Sequence, residues 1–359
     1  MKESIVTPLF ERIGRKLGVR VEIEPNWRYT GRLVFPDGTF SYFLATRFDI
    51  NPFGAAEVAG DKDYAAFFMK KMGYPVPDGE AFFSPRWART ISSGRTPAAA
   101  YRYARTLGFP LIVKPNSLSQ GVGVCVVHNK KEFDQAVKFI CTQDKVFLVQ
   151  RLSSGRDFRV VVVGGEILSA YERLPLAVVG DGVATIAKLV AKKQREFREQ
   201  GRYTLIRLAD FRITNFLRQQ GLTRASIPKR GEQIKLLGTK NLSTGGESRD
   251  VTKKLHPTVR NLCIRLARDM GLNYCGVDLL LESAPSAPLG KYTVLEINAA
   301  PGIDHYAASG NRQRKIVERL YTKVFQALIK QHTAGTHAPS RVKNLDFSHE
   351  ATYAIAVKR

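Results

Sequence analysis

The sequence predicts an α+β (α/β) protein, and three features carry that reading. Residues 111–113, 123–127 and 146–150 are short apolar runs, with a helical stretch at 131–141 between the second and third. Residues 158–163 and 166–171 flank Gly164-Gly165, a strong two-residue hairpin signal. A second strand pair, residues 275–281 and 292–297, is joined by a Ser-, Pro- and Ala-rich turn at 283–290.

The remaining elements follow in order. Residues 1–60 read as a short, poorly patterned N-terminal region. Residues 19–23 and 31–35 suit strands, and the Pro36-Asp37-Gly38 turn feeds a third at 40–44. A helix over 61–72 is stopped by Gly73, then Pro75 and Pro77. Thr96-Pro97 is an N-cap and N1 pair opening a helix to Leu107, which Gly108 closes. Helices also fit 185–199, 209–220, 257–270 and 313–331. No internal repeat is present. The expected organisation is an N-terminal region 1–60, subdomains 61–145 and 146–330 (the second opening on a hinge strand), and a tail 331–359.

Length leaves room for two or three domains and a substantial core, at 359 residues. No apolar run approaches the roughly 18 residues of a membrane span, and the N-terminal stretch lacks an apolar signal-peptide core. Cys125, Cys141, Cys263 and Cys275 are scattered, with no CxxC pair, as expected of reduced core residues in the cytoplasm. Net charge is +24, and residues 188–240 hold 14 Lys or Arg against 4 Asp or Glu. Such a balance favours acidic small molecules, acidic peptides or other polyanions. The basic residues are spread over several elements without an RGG tract, zinc-finger spacing or RNP-like motif, which weighs against nucleic acid.

Asp278 lies within one strand of the second pair, and Glu296 and Asn298 end the other. Residues two apart on a strand face the same way, so Glu296 and Asn298 share a side, and an antiparallel neighbour can bring Asp278 beside them. Three oxygen ligands suit Mg²⁺ carrying nucleotide phosphates. The spacing alone equally describes an edge hairpin with solvated carboxylates. Upstream, Lys114 ends a buried strand and precedes Asn116-Ser117-Leu118-Ser119-Gln120-Gly121-Val122-Gly123. Small residues and glycines there let backbone N–H groups wrap phosphate oxygens, although a plain turn has the same composition. No Walker GxxxxGK[ST] occurs.

Lys114 with its Ser/Gly loop, Val149-Gln150-Arg151-Leu152, and then Asp278, Glu296 and Asn298 resemble the ATP-grasp superfamily over roughly residues 55–325. Gly60-Asp61-Lys62-Asp63 and Gly73-Tyr74-Pro75-Val76-Pro77 look like the opening of that module. The resemblance implies ATP held between two α+β subdomains behind a short N-terminal region. It also implies Lys62 and Lys114 on the phosphates with the Ser119, Gly121 and Gly123 loop. Gln150 and Leu152 would frame adenine, Asp157 would hold ribose, and Asp278, Glu296 and Asn298 would hold two Mg²⁺, with Mn²⁺ an alternative. A narrower similarity joins Arg173-Leu174-Pro175, Val178-Val179-Gly180-Asp181-Gly182 and Thr185-Ile186 to cyanophycin synthetase and bifunctional glutathione synthetase. Residues 241–246 (Asn-Leu-Ser-Thr-Gly-Gly), 250–252 (Asp-Val-Thr) and His256-Pro257 add a further cyanophycin-synthetase-like block. The muramyl-ligase-like half of that family is missing and the N-terminal region is shorter, which leaves the substrate open.

The implied activity is an ATP-dependent, ADP-forming carboxylate–amine ligase making an amide bond through an acylphosphate, acting on amino acids or a peptide. Arg159 and Arg173 would grip a carboxylate or the tetrahedral oxyanion. Arg159 is expected on the first strand of the Gly164-Gly165 hairpin and Arg173 just past its second. The Asn241 loop would shield the acylphosphate from water. His305 fits a substrate contact, a base or a helix start, and His128 and His256 read as structural. A peptide macrocyclase that reads a leader peptide, and a non-catalytic nucleotide-dependent polyanion-binding module, remain as alternatives. A homodimer is left open.

Overall fold

The computed structural model describes residues 6–202 and 204–333. The described residues divide into two compact units, 6–50 with 321–333 and 51–320. The tail expected over 331–359 lies, from residue 334 on, outside the described residues.

In the first unit, α1 (Thr7–Leu17) is followed by β1 (Arg20–Ile23), β2 (Thr30–Val34), β3 (Phe40–Leu44) and β4 (Arg47–Phe48), one antiparallel sheet in that order. The expected poorly patterned region is therefore an ordered layer, and α1 was missed. Its apolar residues Leu9, Phe10 and Ile13 recur at helical spacing and are buried. Phe10 packs edge-on against Phe43 and Tyr321, which gives the unit an aromatic core.

The second unit opens with α2 (Phe53–Gly60) and α3 (Lys62–Lys71). Asp61 caps α3 by accepting from the backbone of Asp63 and Tyr64. Next come β5 (Gly79–Phe83), α4 (Pro85–Thr90), α5 (Pro97–Leu107), β6 (Leu111–Pro115), β7 (Cys125–Val127), α6 (Lys130–Cys141) and β8 (Val146–Arg151). Thr96 and Pro97 start α5 as expected, with the Thr96 hydroxyl accepting from Ala99 N. The four strands form an antiparallel sheet in the order β5-β8-β6-β7. The strand expected to open the second subdomain, β8, is thus hydrogen-bonded within this first sheet, between β5 and β6.

β9 (Arg156–Val163), β10 (Glu166–Leu174) and β11 (Ala177–Val179) precede α7 (Ile186–Glu199), α8 (Phe211–Gln219), β12 (Gln233–Lys235) and β13 (Glu247–Asp250). α9 (Pro257–Asp269), β14 (Tyr274–Leu281), β15 (Tyr292–Asn298), α10 (Asp304–Ala307) and α11 (Asn311–Thr333) follow, to the end of the described residues. The second sheet is antiparallel in the order β13-β10-β9-β14-β15, and its core includes Phe158, Val160, Val277 and Leu279 against α9. β11 and β12 pair separately and pack with α7 and α8 around a third core that includes Ile186, Leu189, Phe197, Ile213 and Leu217. Every residue of β14 is buried, including Asp278. A carboxylate in such a strand needs a cation beside it.

Candidate active site

The β14–β15 register sets Asp278 opposite Glu296 and Gly276 opposite Asn298, so the oxygen trio comes together as the strand alternation requires. On the other flank of β14, Asp278 pairs with Arg159 of β9. The guanidinium grips the carboxylate at two points, Nε to Oδ1 and Nη2 to Oδ2, both 2.6 Å. Arg173 Nη1 donates to the same Oδ2 at 2.9 Å, while its Nε and Nη2 reach Asp157 Oδ1 at 2.9 and 2.7 Å. Arg159 Nη2 also lies 3.6 Å from Glu296 Oε1.

This network corrects one expectation and gives partners to three residues expected at the substrate and the ribose. Arg173 lies inside β10, not past its end. Arg159 and Arg173, expected to grip substrate, spend their guanidinium groups on Asp278 and Asp157. Asp157, expected at ribose, carries the Arg173 ion pair. Burial would lower both arginines, but the carboxylates of Asp278 and Glu296, and of Asp157 for Arg173, outweigh it and hold them above their ordinary range, so both stay charged. Burial also raises Asp278, opposed by Arg159 and Arg173. Burial would raise Glu296 too, but Lys62, Asp278, Lys114 and Arg159 hold it well below the carboxylate range.

The donor set fits a divalent cation. Asp278 Oδ1 takes one hydrogen bond and keeps a lone pair, and Glu296 Oε1 accepts from Asn298 Nδ2 at 3.2 Å. Oxygen donors alone, with no thiolate or imidazole, suit a hard ion. Among the described residues no three His, Cys, Asp or Glu side chains gather as a metal cluster, so a three-donor set here would need the asparagine amide.

Lys62 and Lys114 approach the trio from other elements. Lys114, on β6, is buried, and burial pushes its ammonium down to about 8 against the pull of Glu296. Lys62 opens α3, and its Nζ donates to the carbonyls of Asn116 and Leu118 at 2.9 and 2.7 Å. The lysine expected on phosphate therefore braces the loop after β6. Asn116, which the sequence did not single out, ties the same loop to α3: Nδ2 donates to Asp61 Oδ2 at 2.6 Å, and Oδ1 accepts from Asp63 N at 3.0 Å.

The Ser119–Gly123 turn meets the 241–246 loop directly. Gly121 has φ +72°, and a Cβ there would sit 2.6 Å from Asn241 Oδ1. Only glycine lets the loops approach this closely. Ser243 Oγ donates to Gln120 O at 2.7 Å. Two arginines that sequence reasoning missed fix both loops. Arg212, paired with Asp210, donates to Gly121 O at 2.8 Å. Arg202 is buried over the Phe197 ring and donates to the carbonyls of Leu242, at 2.6 Å, and Gly246. No local spacing flags either residue.

Gln150 is buried in β8 across from Gly79, where a Cβ would meet Gln150 Cγ at 2.4 Å. Leu152 is exposed just beyond β8, and Ser119 is exposed in its turn. The His305 side chain lies outside the described residues. His128 Nδ1 contacts Gln219, and His256 caps α9 through Thr258 N, so both sit in structural contacts.

The fold is of the ATP-grasp class. Residues 68–185 match the family described as D-ala D-ala ligase C-terminus, and residues 239–320 match the RimK-like ATP-grasp domain. The chain belongs to the ATP-grasp superfamily. It is similar to the glutathione biosynthesis bifunctional protein of Mannheimia succiniciproducens, 32% identical over 272 residues, covering 73% of this chain and 34% of that protein. It is also similar to cyanophycin synthetase of Trichormus variabilis, 30% identical over 288 residues, 78% of this chain and 31% of that protein. The chain thus spans about a third of the length of these curated relatives. Among solved structures, a bifunctional glutathione synthetase from Pasteurella multocida shares the fold with a TM-score of 0.55 and 24% identity, over 89% of this chain and 43% of that one. No helix among the described residues is long and apolar enough to cross a membrane.

Proposed function

We propose that this chain is an ATP-dependent, ADP-forming ligase that joins a carboxylate to an amine of an amino acid or peptide. The observation that carries this reading is the convergence of Lys62 and Lys114 on the Asp278–Glu296–Asn298 trio, which sets fixed positive charge beside a hard-cation donor set. The substrate carboxylate would take the γ-phosphoryl group of ATP, giving an acylphosphate and ADP. The amine would then attack that carbonyl, release phosphate and lose a proton. Phosphoryl transfer of this kind rests on positioning and charge neutralisation. Asp278, Glu296 and Asn298 would hold the divalent ions, which we take to be two Mg²⁺; bound there, they withdraw charge from the phosphate oxygens.

The chain's own residues divide the remaining work. Lys114 supplies a desolvated positive charge, and Lys62 holds the loop carbonyls that set the phosphate-facing backbone. Arg159 and Arg173 oppose the effect of burial on Asp278 and fix its carboxylate in direction, as positioning residues. Asn241, seated on Gly121, would close the loops over the acylphosphate and exclude water. Gln150 and Leu152 would border the adenine, and Asp157, fixed by Arg173, the ribose.

The test is phosphate and ADP release from ATP with Mg²⁺ across amino acids and acidic dipeptides, with product masses read in parallel. Substrate-dependent release with a product equal to both reactants minus water supports the reading. Release without such a mass, or none with any carboxylate–amine pair including longer peptides, overturns it.

A further inference from the structure

Residues 176–240 carry 14 Lys and Arg against 5 Asp and Glu, fold around their own core and present surface features that the ligase site does not use. On α7, Lys188, Lys192 and Arg195 are exposed at i, i+4 and i+7, one helix face. Lys229 and Arg230 are exposed on the loop before β12. The ion pairs of this region engage other residues, Lys193, Arg212 and Arg218.

The backbone brings these segments together. Ile186 N and Ala187 N donate to Ser226 O and Arg224 O, which pins the start of α7 to the loop before β12. Gly180 N donates to Glu232 O, Gly231 N donates back to Gly180 O, and a Cβ on Gly180 would lie 2.2 Å from Lys229 O. Among the described residues, the exposed large apolar side chains of this region are Val179 (57%), Val183 (80%), Leu205 (58%) and Ile227 (56%), all aliphatic. Val179, Val183 and Ile227 sit on the same paired segments as Lys229 and Arg230. Cations beside aliphatic side chains match a peptide with carboxylates and apolar residues. Single-stranded nucleic acid calls for aromatic stacking platforms beside its cations, and this surface presents none among the described residues.

The region is also joined to the catalytic loops, through Arg212 on Gly121 O and Arg202 on Leu242 O. We infer that residues 176–240 form a docking surface for an acidic peptide, contacted by Lys188, Lys192, Arg195, Lys229 and Arg230. The docked peptide is the substrate or carries it, and that clause alone rests on the ligase reading. None of these five residues belongs to the ATP or metal site.

The experiment is fluorescence anisotropy of the full chain with a fluorescein-labelled decapeptide alternating Glu and Leu, at 0.15 M salt in the absence of ATP. The probes for comparison are the same decapeptide with Gln for Glu and a single-stranded RNA decamer. The triple variant K188E/K192E/R195E and the double variant K229E/R230E are measured beside the unaltered chain. The expected result is saturable binding of the Glu peptide, weakened at least tenfold in each variant and at least tenfold by the Glu-to-Gln change. Binding of a fluorescent ATP analogue stays unchanged in both variants, which shows that they fold. Failure of the unaltered chain to bind the acidic peptide, or equal binding by the variants, overturns the inference. So does RNA binding tenfold tighter than the peptide and lost in the same variants. Because docking is read without turnover, it stands or falls independently of the ligase test; docking without any substrate-dependent ADP release would count against the ligase reading alone.

Discussion

Arg159 and Asp278 face each other in register on adjacent strands of the second sheet and are joined by two 2.6 Å hydrogen bonds. The pairing aims the Asp278 carboxylate, which would otherwise be a bare charge in a fully buried strand. Arg173 extends the network to Asp157, so one rigid set of ion pairs links the residue expected near ribose to those expected near the metal.

Removing Arg173 should therefore destabilise the fold. Arg173→Met leaves Asp157 and Asp278 short of a partner in the interior, a loss of about 3–5 kcal/mol for a broken buried pair. Urea unfolding measures it, and a loss below about 1 kcal/mol would show that the network is not structural.

Glu296 lies at the site's more open edge, with a side chain 25% exposed. Glu296→Gln keeps its shape and removes its charge. Turnover should fall at least about 100-fold, as expected when metal affinity is lost, while the unfolding midpoint shifts little. Retained ADP release would sink the assignment of Glu296 to the cation.

Lys114 gives a pH signature. Its folded ammonium titrates at about 8 against 10.5 ordinarily, because burial disfavours the charge. Both states are charged below about pH 8, so the burial penalty is complete there and fades as pH rises towards 10.5. Stability from this group thus increases across that window, whereas the charge available for phosphate is lost. The kcat/KM for ATP should fall above about pH 8 in the free enzyme. Lys114→Met should lower it at all pH values and flatten the profile. An unchanged fall in that variant would assign the titration elsewhere.

Gly121 tests the seating of the two loops. Gly121→Ala meets both the +72° backbone and Asn241 Oδ1, so KM for ATP should rise about tenfold or more, with about 1 kcal/mol of lost stability. Adding Asn241→Gly removes the contact but leaves the backbone strain, so part of the loss should be recovered. No recovery would show that the Asn241 contact does not set the loop.

Asn241→Ala alone should lower the amide formed per ATP consumed, because a less closed loop admits water to the acylphosphate. Comparing ADP with product mass measures this, and unchanged coupling would remove Asn241 from that role.

The sequence by itself made legible most strand and helix segments around the site, the Thr96 cap and the Gly164-Gly165 hairpin, and it allowed the pairing of Asp278 with Glu296 as one of two readings of the spacing. These rest on periodicity and on strands joined by short turns, which are local signals. It missed α1, although Leu9, Phe10 and Ile13 were spaced to show it, and it missed β11, β12 and β13, three or four residues each. Packing in three dimensions sets which partners the charged groups take. Arg159 reaches Asp278 across 119 residues, Arg173 across 105, and Arg212 meets Gly121 across 91. A buried charge takes whichever partner the packed sheets bring within 3 Å, and no spacing along the chain encodes that choice.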